Sequence, residues 1–159
     1  MMKPFAFLAA LSALAVPVLA HGADRGEAKA TVAGKTVTID YGRPTLKGRD
    51  MLGQAAVGKP WRMGADAETT LKTDADLTFG KAAVAKGEYV LTATKVADGQ
   101  WQLNVLTKEK AKVADVPLDL AKAPASVEML TIDLTGDKGK GTFTMSWGEV
   151  SLKAAFTGK

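Results

Sequence analysis

The chain has 159 residues, with 21 Lys and Arg against 17 Asp and Glu for a formal charge of +4, and no cysteine. That length fits one domain with a real core, while the lack of cysteine excludes disulfide staples, a cysteine-linked lipid and a thiol nucleophile. The charge is mild and its 17 lysines are spread among acids along the chain, so the basic stripe that nucleic acid demands is missing.

Residues 1–20 read as a secretory signal. Lys3 supplies the charged start, residues 5–16 form an apolar run with one Ser, and Val18-Leu19-Ala20 satisfies the small-residue cleavage rule. The run is short for a membrane span, and no later segment is long enough. Cleavage after Ala20 leaves 139 residues (159 − 20), expected as a single domain over 21–159 in the periplasm or beyond. An uncleaved N-terminal anchor is the rival reading.

Residues 21–28 are small and polar, the pattern of a frayed start. Beyond them the apolar period is two. Val37, Ile39 and Tyr41 alternate with Thr36, Thr38 and Asp40, and Thr69–Thr73 and Leu77–Phe79 read as two further strands. Residues 89–95 and 100–107 flank Ala97-Asp98-Gly99 as a hairpin, with Trp101, Leu103 and Val105 on one face. Residues 108–124, rich in Lys, Ala and Asp and carrying Pro117 and Pro124, fit a short helix or a loop between sheets; the crossing loop is the expectation. Leu130, Ile132 and Leu134 begin a new alternation. Phe143, Met145 and Trp147 form another, and Val150, Leu152, Ala154 and Phe156 a last one after Gly148-Glu149. About eight or nine short strands, each with one core face and one wet face, predict an all-β, antiparallel sandwich or jelly-roll-like fold.

Residues 41–70 stand apart. The chain has four arginines, and three of them, Arg43, Arg49 and Arg62, lie in this window beside Trp61, Asp66 and Glu68. Arginine differs from lysine in a planar fork that takes carboxylate or phosphate through two hydrogen bonds at once, so the clustering points to a geometric need. In order, Tyr41-Gly42-Arg43-Pro44, Lys47-Gly48-Arg49 and Trp61-Arg62-Met63-Gly64-Ala65-Asp66-Ala67-Glu68-Thr69-Thr70 resemble a bacterial family known as domain of unknown function 2911. The resemblance continues through Phe79-Gly80-Lys81, Gly87-Glu88-Tyr89, Trp101, Glu128-Met129-Leu130 and Met145-Ser146-Trp147-Gly148, covering nearly all of the chain after the signal. Where that family usually reads Gly-Ala-Asn-Glu-Ala-Thr, this chain has Gly64-Ala65-Asp66-Ala67-Glu68-Thr69, with an amide replaced by a carboxylate and the glutamate displaced by one position. The resemblance implies a β-rich exported domain with no assigned activity, and it supplies no substrate.

Two readings of the block stand side by side. In one, the arginines tie loops together through Asp50, Asp66, Glu68 and backbone carbonyls, and removing one partner of a buried pair costs roughly 3–5 kcal/mol. In the other, Arg43, Lys47, Arg49, Trp61, Arg62, Asp66 and Glu68 form a ligand-binding site. There the arginines would hold an anionic or sugar-like molecule, and Trp61 would offer a stacking face. Catalysis is a further alternative: on one strand Asp66 and Glu68 would share a face about 6–7 Å apart, a spacing open to glycoside cleavage or to a merely solvated strand face. A Ser-His-Asp arrangement would need the single histidine, His21, at the polar start of the domain. His21 at a new N-terminus offers copper an amine and an imidazole, but no second histidine completes the site.

Trp101 and Trp147 read as core anchors, and Trp61, after Lys59-Pro60 and outside a clean strand, as the tryptophan facing a ligand. The expectation is therefore a non-catalytic binding or interaction module with no cofactor or metal. The alternatives are a carboxylate-dependent hydrolase of envelope glycans and a purely structural envelope protein.

Overall fold

A computed structural model of the chain describes residues 24–159; the expected signal at 1–20, the cleavage expected after Ala20, and His21 lie outside the described residues. The described chain forms ten strands and no helix. In chain order they are β1 (Asp24–Val32), β2 (Lys35–Arg43), β3 (Pro60–Trp61), β4 (Thr69–Thr73), β5 (Leu77–Phe79), β6 (Ala82–Val84), β7 (Gly87–Ala97), β8 (Gln100–Leu106), β9 (Lys112–Asp137) and β10 (Lys140–Gly158). Every pairing is antiparallel. The order β1-β2-β4-β7-β8-β9-β10-β5-β6, with β3 on β7, has two ends, so the sheet is open rather than a closed barrel.

The all-β antiparallel expectation holds, with three local corrections. The start is not frayed from Asp24 onward: β1 pairs with β2 from Asp24↔Arg43 to Val32↔Lys35, because Ala28 and Val32 supply a buried face. Ala33 and Gly34 close this hairpin at φ 50° and 74°, the two positive values a type I′ turn requires.

The expected crossing loop over 108–124 is mostly strand. From Lys112 the chain enters β9, where Ala114, Val116 and Leu118 alternate into the core. Pro117 is tolerated because this arm pairs with β8 on one side and has no partner on the other until Asp119 meets β10. Pro124 lies in the gap between Lys122 and Val127, where pairing with β10 is interrupted.

The third correction concerns the glycine at 148. The sequence splits residues 143–156 into two strands there, but the structure keeps them as two arms of β10. At about 3.3 Å per residue a straight strand of this length would run roughly 60 Å. Instead the Gly158 amide donates to the Gly139 carbonyl at 2.9 Å, so the strand doubles back on itself. The corner is Gly148, at φ 63°, with register shifts on both sides. β9 turns with it, and its second arm comes over β1 and β2. There the Tyr41 hydroxyl donates to the Ile132 carbonyl at 3.3 Å, and Phe143, Met145, Leu130 and Ile132 are buried. Each such side chain contributes about 1.5–3 kcal/mol on burial, the main source of stability in a chain with no disulfide.

The segment after β2 is positioned by this arm. Thr45 bridges Met129, the Leu130 amide donates to Pro44 and the Leu46 amide to Glu128, both at 3.0 Å. The bend at residues 64–66 is pressed onto β2: a Cβ at Gly42 would sit 2.1 Å from the Ala65 carbonyl oxygen. Behind it Met63 is fully buried, and the Thr69 hydroxyl donates to the Met63 carbonyl at 3.0 Å. Gly42→Ala should therefore cost about 3 kcal/mol in urea unfolding. Gly34→Ala, whose new Cβ meets nothing, should cost only about 1 kcal/mol for its left-handed backbone. A smaller loss at Gly42 than at Gly34 would show that the bend gives way freely.

Candidate functional site

The seven residues singled out in the sequence do not converge on one cleft. Arg43, at the end of β2, is half-buried and reaches across to β9, its Nε donating to the Leu130 carbonyl and its Nη2 to Thr131 Oγ1, both at 3.2 Å. Arg49 donates from Nε to the Leu46 carbonyl at 3.2 Å, within its own turn. Lys47 takes φ 51°, and its backbone amide donates to Glu128 Oε1 at 2.9 Å. Arg62 donates from Nη1 to the Asp66 carbonyl at 2.5 Å.

The carboxylates are engaged elsewhere. Asp50 Oδ1 accepts from the Gly53 amide at 2.9 Å, capping a turn. Glu68 pairs with Lys110 on the outer face of the sheet. Further ion pairs join Arg25 to Asp40, Lys95 to Asp98, Lys108 to Glu88 and Lys112 to Asp115. The arginines donate to carbonyls and a hydroxyl, while Asp50 accepts from an amide and Glu68 pairs with a lysine. Asp66, at φ 62°, lies in the bend before β4 begins at Thr69, so Asp66 and Glu68 are not successive same-face positions of one strand.

Two of the seven, Trp61 and Arg62, line a cleft of about 460 Å³. β3 presents Trp61, and the ribbon corner presents Trp147; their rings stack with centroids 5.7 Å apart and planes 7° from parallel. Trp147 is 3% exposed, a core anchor as expected, and its indole N–H donates to the Glu128 carbonyl at 3.2 Å, which fixes the ring. Trp61 is half-buried, so anything entering the cleft meets it first. An offset pair of this kind is worth about 0.5–1.5 kcal/mol beyond its burial and gives a rigid flat wall. Opposite it, Met51, Leu52, Ala55 and Ala56 supply apolar surface, and Gln54, Lys59 and Arg62 supply the polar groups. Among the described residues the lining holds two cations and no carboxylate.

Gln54 and Lys59 were missed from the sequence. The run Lys59-Pro60-Trp61-Arg62 was the signal that could have found Lys59; nothing local marked Gln54. Trp101, 5% exposed, is a core anchor.

A second concavity, about 670 Å³, opens on the outer face of β2, β4 and β7 and includes Asp40, Glu68, Glu88 and Lys108. Lys108 hydrogen-bonds Glu88 and adds its charge, holding the Glu88 carboxyl below its ordinary pKa and raising that of Lys108. Both groups are solvent-exposed, and pairs of this kind contribute little to stability. No group of three or more His, Asp or Glu side chains is arranged to hold a metal among the described residues. No helix there is long and apolar enough to cross a membrane.

The two arginine environments predict different costs. Arg43→Lys should lose about 1–2 kcal/mol in urea unfolding, because one ammonium cannot serve both β9 acceptors. Arg62→Gln, on the exposed cleft wall, should stay within about 0.5 kcal/mol of the parent. Equal losses would place Arg62 in the fold and not in the cleft.

Comparison with known proteins matches residues 23–156 to the model of one family, described as Protein of unknown function (DUF2911). No curated protein and no solved structure matches.

Proposed function

The chain belongs to the DUF2911 family, and we propose that its domain is a non-catalytic binding module. Its ligand is an anionic or sugar-like molecule of the cell envelope, held in the cleft over Trp61. The observation that carries this reading is the pairing of a rigid aromatic wall with two cations, Lys59 and Arg62, and no lining carboxylate. Two cations on the wall of a largely apolar cleft suit a ligand that brings an anionic group and an apolar body. The hydrolase alternative is less well supported, because Glu68 is tied to Lys110 on the outer face and lines a different concavity from Trp61. Arg43 and Arg49, held on the Leu130 and Leu46 carbonyls and absent from the cleft lining, are parts of the fold in this reading.

Binding is tested by titrating the domain with a panel of organic anions and acidic glycans while following tryptophan fluorescence. A saturable signal should weaken about tenfold or more in Arg62→Gln, the loss expected for one charge-assisted hydrogen bond. Undiminished binding in both Arg62→Gln and Trp61→Leu, or turnover of a glycan that Glu68→Gln abolishes, would remove this reading.

The envelope location is part of the proposal and rests on the signal-like residues 1–20. Expressed with its own N-terminus in a Gram-negative host, the protein should be recovered from the periplasm beginning at His21. Recovery from the cytoplasm with residues 1–20 intact would overturn the location and leave the cleft untouched.

A further inference from the structure

The cleft lining separates the two ligand chemistries that a cationic aromatic site admits. A sugar brings several hydroxyls, each a donor as well as an acceptor, and burying them unpaired is costly. Acceptors are what this cleft lacks. Lys59, Arg62 and the two indoles are donors only, and the Trp147 N–H is already spent on the Glu128 carbonyl. Among the described lining residues the strong side-chain acceptor is the amide oxygen of Gln54, with the weak thioether of Met51 beside it. Four nearby backbone carbonyls are engaged as well: Asp50 accepts from Gln54, Leu52 from Ala55, Ala56 from Lys59, and Asp66 from Arg62.

Apolar surface, by contrast, extends beyond the cleft. Val57 and Val96 are 55% and 41% exposed, two of the three large hydrophobic side chains left open among the described residues. Val57 directly follows Ala56 of the lining, and the Gly58 amide donates to the Lys95 carbonyl at 2.8 Å, which ties this segment to β7; Val96 lines a separate concavity with Trp101 and Leu118.

We infer that the cleft takes a hydrophobic carboxylate: an acid group on Lys59 and Arg62, and an apolar body against Trp61 that runs out past Ala56 toward Val57. This inference rests on the binding-module reading and narrows its ligand class. The acid is an acceptor-only group and matches the donor-only wall. The apolar body asks for no hydrogen bonds from a lining that has few to give. A cleft of about 460 Å³ holds a ligand of that size.

The probes are decanoate, 2-naphthoate, the neutral alcohols decanol and 2-naphthalenemethanol, and glucuronate, titrated into the full domain by calorimetry. At least one hydrophobic carboxylate should bind about tenfold or more tighter than both its own alcohol and glucuronate, and Lys59→Gln/Arg62→Gln should erase that preference. Val57→Ser should weaken the carboxylate and leave glucuronate unchanged. Glucuronate binding as well as the hydrophobic acids would overturn this inference while leaving the binding module standing. So would alcohols that bind as tightly as their acids. Binding of none of the probes, together with a silent anion and glycan panel, would sink both. Because Lys59, Arg62 and Val57 are exposed, their variants report on binding and not on folding.

Discussion

The corner at Gly148 is the constraint on which the rest of the structure depends. A strand as long as β10 cannot lie in one layer of a domain this small, and a residue at φ 63° without a side chain lets it turn. Once it turns, the second arm of β9 is carried over β1 and β2, where Tyr41 and Arg43 fasten it through the Ile132 and Leu130 carbonyls. The same corner delivers Trp147 to the cleft wall behind Trp61, one residue before the bend. Core closure and cleft wall therefore have one origin, and the Trp61 ring is held against a surface that the fold has already made rigid.

The polar groups divide along the same lines. Where the two arms meet, arginine is used for its geometry: Arg43 spans a carbonyl and a hydroxyl at once, which an ammonium does not. On the outer sheet face lysine is used for its charge, in the pairs Lys108–Glu88 and Lys110–Glu68 that fasten the β8–β9 turn across β4 and β7. Arg62 belongs to neither group: it donates to the Asp66 carbonyl and lines the cleft.

The strands were legible wherever alternation was uninterrupted. Thr69–Thr73 and Leu77–Phe79 lie where the period-two pattern puts them, and the hairpin at Asp98-Gly99 needed only its turn residues to be seen. The first arm of β9 was hidden because Pro117 and Pro124 mark breaks in most sheets; here an unpartnered edge and a pairing gap absorb them. β3 and β6 are too short to carry a period. In the site, Trp61 stood out because it broke a pattern, whereas the count of arginines said nothing of what each would face. Carbonyls as partners leave no trace in sequence, since every residue has one. Nor does a stack between rings from distant strands, and Trp147, read as core, is that and also half of the cleft wall.

The doubling-back of β10 also bears on how the molecule comes into being. Asp76 and Lys159 exchange amide-to-carbonyl bonds at 3.1 Å in both directions, and the bonds from Tyr41 and Arg43 to β9 span 91 and 87 residues. Contacts so distant along the chain are assembled late and slowly. The N-terminal hairpin, made early during synthesis, finds its covering layer only when β9 and β10 have both emerged. Until then its apolar face has nothing of its own to lie against, and the interval before closure is set by topology rather than by any local preference of the chain.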